Sequence, residues 1–213
     1  MKNYAVIVLL VLLTGCSVVG KGNTPMAPYK VLSLDNKKNI EVRVYENMIL
    51  VSAPMDKNSK DGRRQAFMKL FDYISGENIS NQKVEMTAPV FMSEEQGKGT
   101  KIPMTAPVFM DNQNEKESLM SFVMPQEFTM QNTPKPIDPE LQLNQLKDYK
   151  VAVVRFSGLL SKSNISKHKE ILDNWITSQG YNKTGTYKTA GYNPPFTIPL
   201  FRRNEVLIPI EIK

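Results

Sequence analysis

Two residue types with reactive side chains occur once each in this chain of 213 residues: cysteine at Cys16 and histidine at His168. One imidazole supports one acid–base step, and a lone thiol excludes both an intramolecular disulfide and a cysteine-rich metal site. The common nucleophile frames are missing, because the sequence holds neither a Gly-x-Ser-x-Gly elbow nor a His-Glu-x-x-His pair. A hydrolytic reading would have to rest on paired carboxylates such as Asp138 with Glu140, or Glu205 with Glu211. The more prominent chemistry is soft and apolar. Met86-Thr-Ala-Pro-Val-Phe-Met92 recurs letter for letter as Met104-Thr-Ala-Pro-Val-Phe-Met110. Met86, Met92, Met104, Met110, Met120 and Met124 thus gather in one region, and thioethers make adaptable apolar surface.

The formal net charge of +6 is spread along the chain without a run of five basic residues, so nucleic acid is not an expected partner. The N-terminus is a separate object. Lys2 precedes the apolar run Ala5–Leu13, which is too short to span a bilayer, and Thr14-Gly15-Cys16 follows. Leu13-Thr14-Gly15-Cys16 resembles the bacterial lipobox. That predicts a signal peptide over 1–15, lipidation of Cys16, and a small, polar, proline-containing tether over 16–28. Ser17 after the cysteine resembles the pattern sorted to the outer membrane, so the expected place is the bacterial envelope, facing the periplasm.

The elements that must position any site follow from periodicity. Tyr29–Tyr45 reads as a β-hairpin around the turn residues Asp35–Asn39, and Met48–Ala53 as a third strand. Phe67, Leu70, Phe71 and Ile74 recur at helical spacing within Asp61–Gly76 and predict a buried face. The two septets lie in predicted strands over Lys83–Met92 and Thr100–Met110, each interrupted at proline, which gives no N–H to a ladder. Leu119–Met124 is a further strand. Pro134, Pro136 and Pro139 make an extended crossover. Tyr149–Ser157 is a strand and Ser166–Gly180 a helix with Ile171, Leu172, Trp175 and Ile176 inside. Thr184–Tyr192 and Glu205–Ile210 complete the chain. Met48–Gly76 and Ala152–Gly180 overlay at a constant offset of 104 positions. The domain 29–213 therefore reads as two halves, about 29–128 and 149–213, joined by a crossover over 129–148. In this overlay Ala88-Pro89 matches Asn193-Pro194, and the second septet is the extra piece. The expected fold is α+β: duplicated β-α-β-β halves forming a curved, mostly antiparallel sheet or distorted barrel with two main helices.

Tyr73-Ile-Ser-Gly76 with Asn78, Met86-Thr-Ala-Pro-Val90, Ser121-Phe-Val-Met-Pro125, Pro134-Lys-Pro136 with Asp138, Val154-Arg-Phe-Ser-Gly158, Tyr192-Asn-Pro-Pro195 and Arg202-Arg-Asn-Glu-Val206 occur in this order. Together they resemble the SOUL family of heme-binding proteins over about Val31–Ile210. The resemblance implies a pseudo-two-fold fold related to bacterial effector-binding domains. It also implies heme or another tetrapyrrole as cofactor; with the lipobox and the missing catalytic frames, the expected function is a non-catalytic, membrane-tethered binding protein. A tetrapyrrole needs an apolar groove and cations at its rim. Candidate ligand-binding residues are Phe67, Phe71, Met86, Met104, Phe122 and Met124, with Arg64 and Arg202 as rim cations beside Arg63, Lys69 and Arg203. His168, in the first turn of the second helix between two lysines, is the candidate axial ligand. Two alternatives stay open: an envelope module for another apolar ligand or a protein partner, and a small-molecule hydrolase on the related fold.

Overall fold

The structure is a computed structural model, which describes residues 24–56, 58–80, 99–111 and 118–212. The strands are β1 (Lys30–Asp35), β2 (Ile40–Met55), β3 (Asn78–Ile79), β4 (Val108–Asp111), β5 (Ser118–Val123), β6 (Lys135–Pro136), β7 (Gln142–Phe156), β8 (Asn182–Lys183), β9 (Lys188–Gly191) and β10 (Asn204–Glu211). The helices are α1 (Gly62–Ser75) and α2 (Lys162–Ser178), with a 3-10 turn at Pro199–Phe201. The second arm of the predicted hairpin and the predicted third strand are one continuous β2 of 16 residues. The chain forms two compact units, one of residues 30–44 and 150–213, the other of 26–29 and 45–149. Strands β2 and β7 each begin in one unit and end in the other.

In the unit of 45–149, β5 pairs antiparallel with β2 on one edge (Leu50 opposite Val123) and with β4 on the other (Val108 opposite Phe122). β3 pairs with β6, so the proline-rich crossover contributes a short strand. Met26–Ala27 joins this unit as well. Ala27 N–H donates to Ala106 O at 2.8 Å, and Met26 bridges Ala106 in parallel. The end of the predicted tether is thus pinned to the second septet, and Ala27 is buried.

In the other unit, β10 pairs antiparallel with β7 (Val206 opposite Val154), with β9 (Asn204 opposite Gly191) and with β8. β1 pairs with the start of β2, with a bulge between Val31 and Ser33. Helix α2 starts at Ser161, whose hydroxyl accepts from Asn164 N–H, and it covers a core of Ile40, Val42, Ala152, Val154, Leu172, Trp175, Ile176, Val206 and Ile208. The buried face of α2 is the predicted one.

The duplicated plan is present: β2-α1-β3-β4-β5 corresponds to β7-α2-β8-β9-β10, with β3 and β8 starting at Asn78 and Asn182. Both helices close on a glycine of positive φ, Gly76 at 123° and Gly180 at 72°. One correction concerns the septets. The second copy supplies β4, and β5 already has β2 and β4 on its two edges. The extra chain therefore lies ahead of β4, between residues 80 and 107, where the other half needs only 184–187 between β8 and β9. The first copy, with Met86, falls outside the described residues, as does Cys16.

Candidate functional site

Helix α1 is rotated from its expected orientation, and that rotation builds the candidate site. Its buried residues are Gly62, Ala66, Leu70, Tyr73 and Ile74. Gly62 sets the approach, because a Cβ there would stand 2.0 Å from Asp56 O. At the other end the Tyr73 hydroxyl donates to Pro134 O at 2.8 Å, so a polar aromatic is paid its hydrogen bond and goes inside. The small residues and the tyrosine join the predicted Leu70 and Ile74 on the inner face. The bulkier Phe67 and Phe71, expected in the core, move to the flank: Phe67 is half-buried and Phe71 is 43% exposed.

The outward stripe of α1 is Arg64, Phe67, Met68 and Phe71, at spacings that stack on one side of a helix. The two rings are near-parallel at 14° with centroids 6.3 Å apart. Beneath them Phe67 meets buried Phe122 edge to face at 5.4 Å. Met68 is exposed and was not singled out by sequence. Its signal is its position four residues after Arg64, which a buried face built on the phenylalanine spacing hides. Arg63 and Arg64 stand in the first turn, where the helix dipole is positive; that turn has no acidic residue, and Asp61 makes no side-chain cap. Cations there oppose the dipole by a few tenths to ~1 kcal/mol each. An anion placed beside them would be welcome.

The remaining candidates divide as follows. Phe122 and Met124 are buried, and Met104 is half exposed in the same unit as α1. Lys69 is engaged by Glu140 and lies 3.8 Å from Asp138, so neither that cation nor that carboxylate pair stands alone. Arg202 and His168 belong to the other unit. Arg202 donates from Nε to Thr197 O at 2.8 Å and from Nη2 to Pro195 O, which makes it a staple of its own loop. His168 is half-buried, with its ring stacked on Phe156 at 4.0 Å and 12°. Its Nδ1 lies 2.7 Å from Asn164 O. A carbonyl only accepts, so Nδ1 is the donor of this bond.

Sequence reading missed a buried ion cluster. Arg43 and Glu205 are both fully buried. Arg43 donates from Nη1 and Nη2 to the two Glu205 oxygens at 2.8 Å each, and from Nε to Glu41 at 2.7 Å. Arg203 and the Tyr192 hydroxyl complete the shell of Glu205 at 2.7 Å each, with the Arg203 guanidinium 4.1 Å over the Tyr192 ring. Burial pushes the Glu205 carboxyl up, but the hydrogen bonds and charge of Arg43, with Arg203 and Tyr192, outweigh it and hold the group below its ordinary range. A carboxylate so saturated is a poor general base, and Glu211, exposed, makes no pair with it in the manner of a hydrolytic dyad. Alternation alone could flag Arg43 only as a charge on a strand's inner register.

The α+β class with a duplicated β-α-β-β plan has solved counterparts. A hydrolase from Listeria innocua superposes with a TM-score of 0.50 at 11% identity, covering 82% of this chain and 92% of that one, which shows a shared fold alone. The family model for the SOUL heme-binding proteins matches residues 24–98 and 91–209, and the chain belongs to that family. Human heme-binding protein 2 is 29% identical over 168 residues, 78% of this chain and 75% of that protein. Mouse heme-binding protein 2 is 29% identical over 169 residues, with the same coverage.

Proposed function

We propose that this protein binds heme or a related tetrapyrrole on the outer stripe of α1, as a non-catalytic binding protein tethered to the bacterial envelope through Cys16. The observation that carries the reading is the stacked pair of half-buried Phe67 and exposed Phe71 beside exposed Met68, with Arg63 and Arg64 one turn away. A flat macrocycle finds aromatic faces and a polarizable thioether there, and its propionates find two cations at an uncapped helix start. Family membership and the heme-binding names of the human and mouse relatives support the same ligand class. Bound heme would supply a ligand-accepting, redox-active iron. The chain's own work on α1 is to hold the ring and pair its carboxylates. The non-catalytic part is supported by Glu205, which is fully engaged. The envelope location is supported by the lipobox residues Leu13–Cys16.

Titrating hemin into the protein tests the reading. A saturable, stoichiometric Soret change is expected. Phe71→Asp with Arg64→Glu should weaken binding at least tenfold, about 1.4 kcal/mol or more. Phe71→Asp alone should leave the urea midpoint nearly unmoved, since surface substitutions fall within about 0.5 kcal/mol. Undiminished affinity in the double variant removes the ligand from α1, and no saturable change in the parent protein ends the proposal.

A further inference from the structure

Seven residues occur twice in the chain, and the second copy is the one that stands beside β5. Val108 lies opposite Phe122, Phe109 opposite Ser121 and Met110 opposite Met120. Thr105 Oγ1 donates to Val123 O, and Thr105, Ala106, Phe109 and Met110 are buried. Every one of these side chains has an identical counterpart 18 positions earlier.

The likeness runs past the septet. Lys83-Val84 precedes the first copy as Lys101-Ile102 precedes the second. Between 83–93 and 101–111 two larger departures remain: Glu85 stands for Pro103, and Ser93 for Asp111. Pro103 is exposed, so a charge at its place stays in water. Asp111 is buried, and a neutral hydroxyl is no harder to bury than a carboxylate. Neither departure handicaps the first copy. The strand itself therefore holds nothing that selects the second.

Selection lies upstream. Gly99 passes the end of α1 so closely that a Cβ there would meet Gly76 O at 1.6 Å and Asn78 O at 2.8 Å. Asn78 holds both backbone groups of Thr100, and Ile102 N–H donates to Ile74 O at 2.8 Å. Chain returning to the end of α1 reaches the edge of β5 by this path only through a residue without a side chain. The first copy needs no such return. Lys83 follows Ile79 by four residues, which reach about 13 Å at roughly 3.3 Å per residue. The place it would take, that of Lys101, adjoins Thr100 and so lies beside Asn78. The matched half makes a direct connection of this kind, from β8 to β9 over 184–187. The exchange moves 18 residues from the connection before β4 to the one after it, and closure entropy changes only slowly with loop length.

We propose that Gly99 selects between two interchangeable strands, and that the chain holds a second arrangement in which residues 86–92 take the place of 104–110 against β5. Val90 then stands opposite Phe122, and residues 99–102 leave the end of α1. That end is a two-state element, whose balance shifts with anything that favours one arrangement. The exchange requires neither heme nor a lipid on Cys16.

Two measurements test it. Phe109 is 2% exposed, and a carboxylate in its place abolishes folding in a chain with a single strand for that position. Here Phe109→Asp should keep a cooperative thermal melt at a lower midpoint, Phe91→Asp should leave the melt unchanged, and the two together should abolish it. Cross-linking then reads the partner of β5. Leu119 lies opposite Asp111, and antiparallel partners have Cα atoms about 4.5–5.5 Å apart, within the span of a disulfide. The full chain carries Cys16→Ser, which leaves no other thiol. Leu119→Cys with Asp111→Cys reports the second copy in place, and Leu119→Cys with Ser93→Cys the first. Gly99→Ala should raise the ratio of the 93–119 link to the 111–119 link at least roughly tenfold, the size of effect expected when a methyl is forced into filled space. Phe109→Asp should raise it as well. Loss of the melt in Phe109→Asp alone or in Gly99→Ala alone overturns the proposal, as does a ratio that neither substitution moves. So does a Phe91→Asp melt as low as that of Phe109→Asp, which would give the first copy a fixed place of its own. A 93–119 link formed between chains instead of within one marks exchange between two molecules and overturns it too.

Discussion

Arg43 and Glu205 sit where a strand-by-strand pattern expects apolar side chains, and they hold because each finds a full set of partners. Breaking such a pair leaves one buried charge without compensation. Arg43→Leu is expected to cost about 3–5 kcal/mol, read from the urea midpoint, with a smaller loss when Glu205 is replaced by Leu in the same chain. The pH sign follows from the lowered Glu205 carboxyl. Its stabilisation is fully present above the ordinary value of 4.5 and is lost as the pH falls through the lower native value. Acid unfolding monitored by circular dichroism should therefore set in below about pH 4, and the Arg43→Leu, Glu205→Leu protein should lose that component of its pH dependence. A transition of unchanged slope in the double variant would assign acid lability to other carboxylates. Single residues were the least legible scale in the sequence. Phe71 and Phe67 have the spacing of a core face, but spacing alone does not weigh Ala66 and Gly62, whose smallness lets the helix come close on another side. The contact at Asp56 that decides this is a tertiary fact.

At the scale of elements, repetition was readable because it is written in period and punctuation: an apolar strand, a helix, a glycine, and then the same again. The strands shorter than three residues were not, since β3, β6 and β8 have no period to detect. The repeat is also unequal at one matched pair. Asn78 is buried, and its amide donates to Tyr73 O at 2.7 Å and Thr100 O at 2.8 Å while its Oδ1 accepts from Thr100 N–H at 2.9 Å. Asn182, its counterpart, is exposed. The difference traces to the extra chain in the first half. Residues 99–102 return to the end of α1, where Gly99 passes so close to Gly76 that a Cβ would meet Gly76 O at 1.6 Å. Asn78 clamps that return. Asn78→Ala should destabilise the fold by about 1–3 kcal/mol, the range for buried polar groups left unpaired, while Asn182→Ala should be neutral within about 0.5 kcal/mol. Matching losses at the two positions would show that the clamp has no special role. The duplicated septet could not reveal which copy pairs with β5, because identical letters carry identical propensities and only the edges of β5 decide.

For the whole molecule, the family and the two-half plan were legible from ordered motifs, and the proposed ligand face was not, because it depends on how one helix is turned. Among the described residues no helix is long and apolar enough to cross a membrane. Attachment at Cys16 is therefore tested directly: the parent chain should incorporate labelled palmitate in bacterial cells and Cys16→Ser should not. Equal incorporation would place the lipid elsewhere, and none in either would remove the anchor.

The hydrogen bond from Ala27 to Ala106 has a consequence for such an anchored chain. Residues 17–26 are all that separate Cys16 from the backbone hydrogen bond of Ala27 to the domain. Fully drawn out they reach at most about 35 Å, at roughly 3.3–3.6 Å per residue. The domain would work on a short leash, patrolling a shallow layer above the bilayer. Within that layer a lipid-dissolved ligand and its binder share effective concentrations on the order of millimolar, the regime of short flexible linkers. Capture there would depend less on intrinsic affinity than on the length of one polar segment, so lengthening it should dilute the encounter without altering a single contact in the fold.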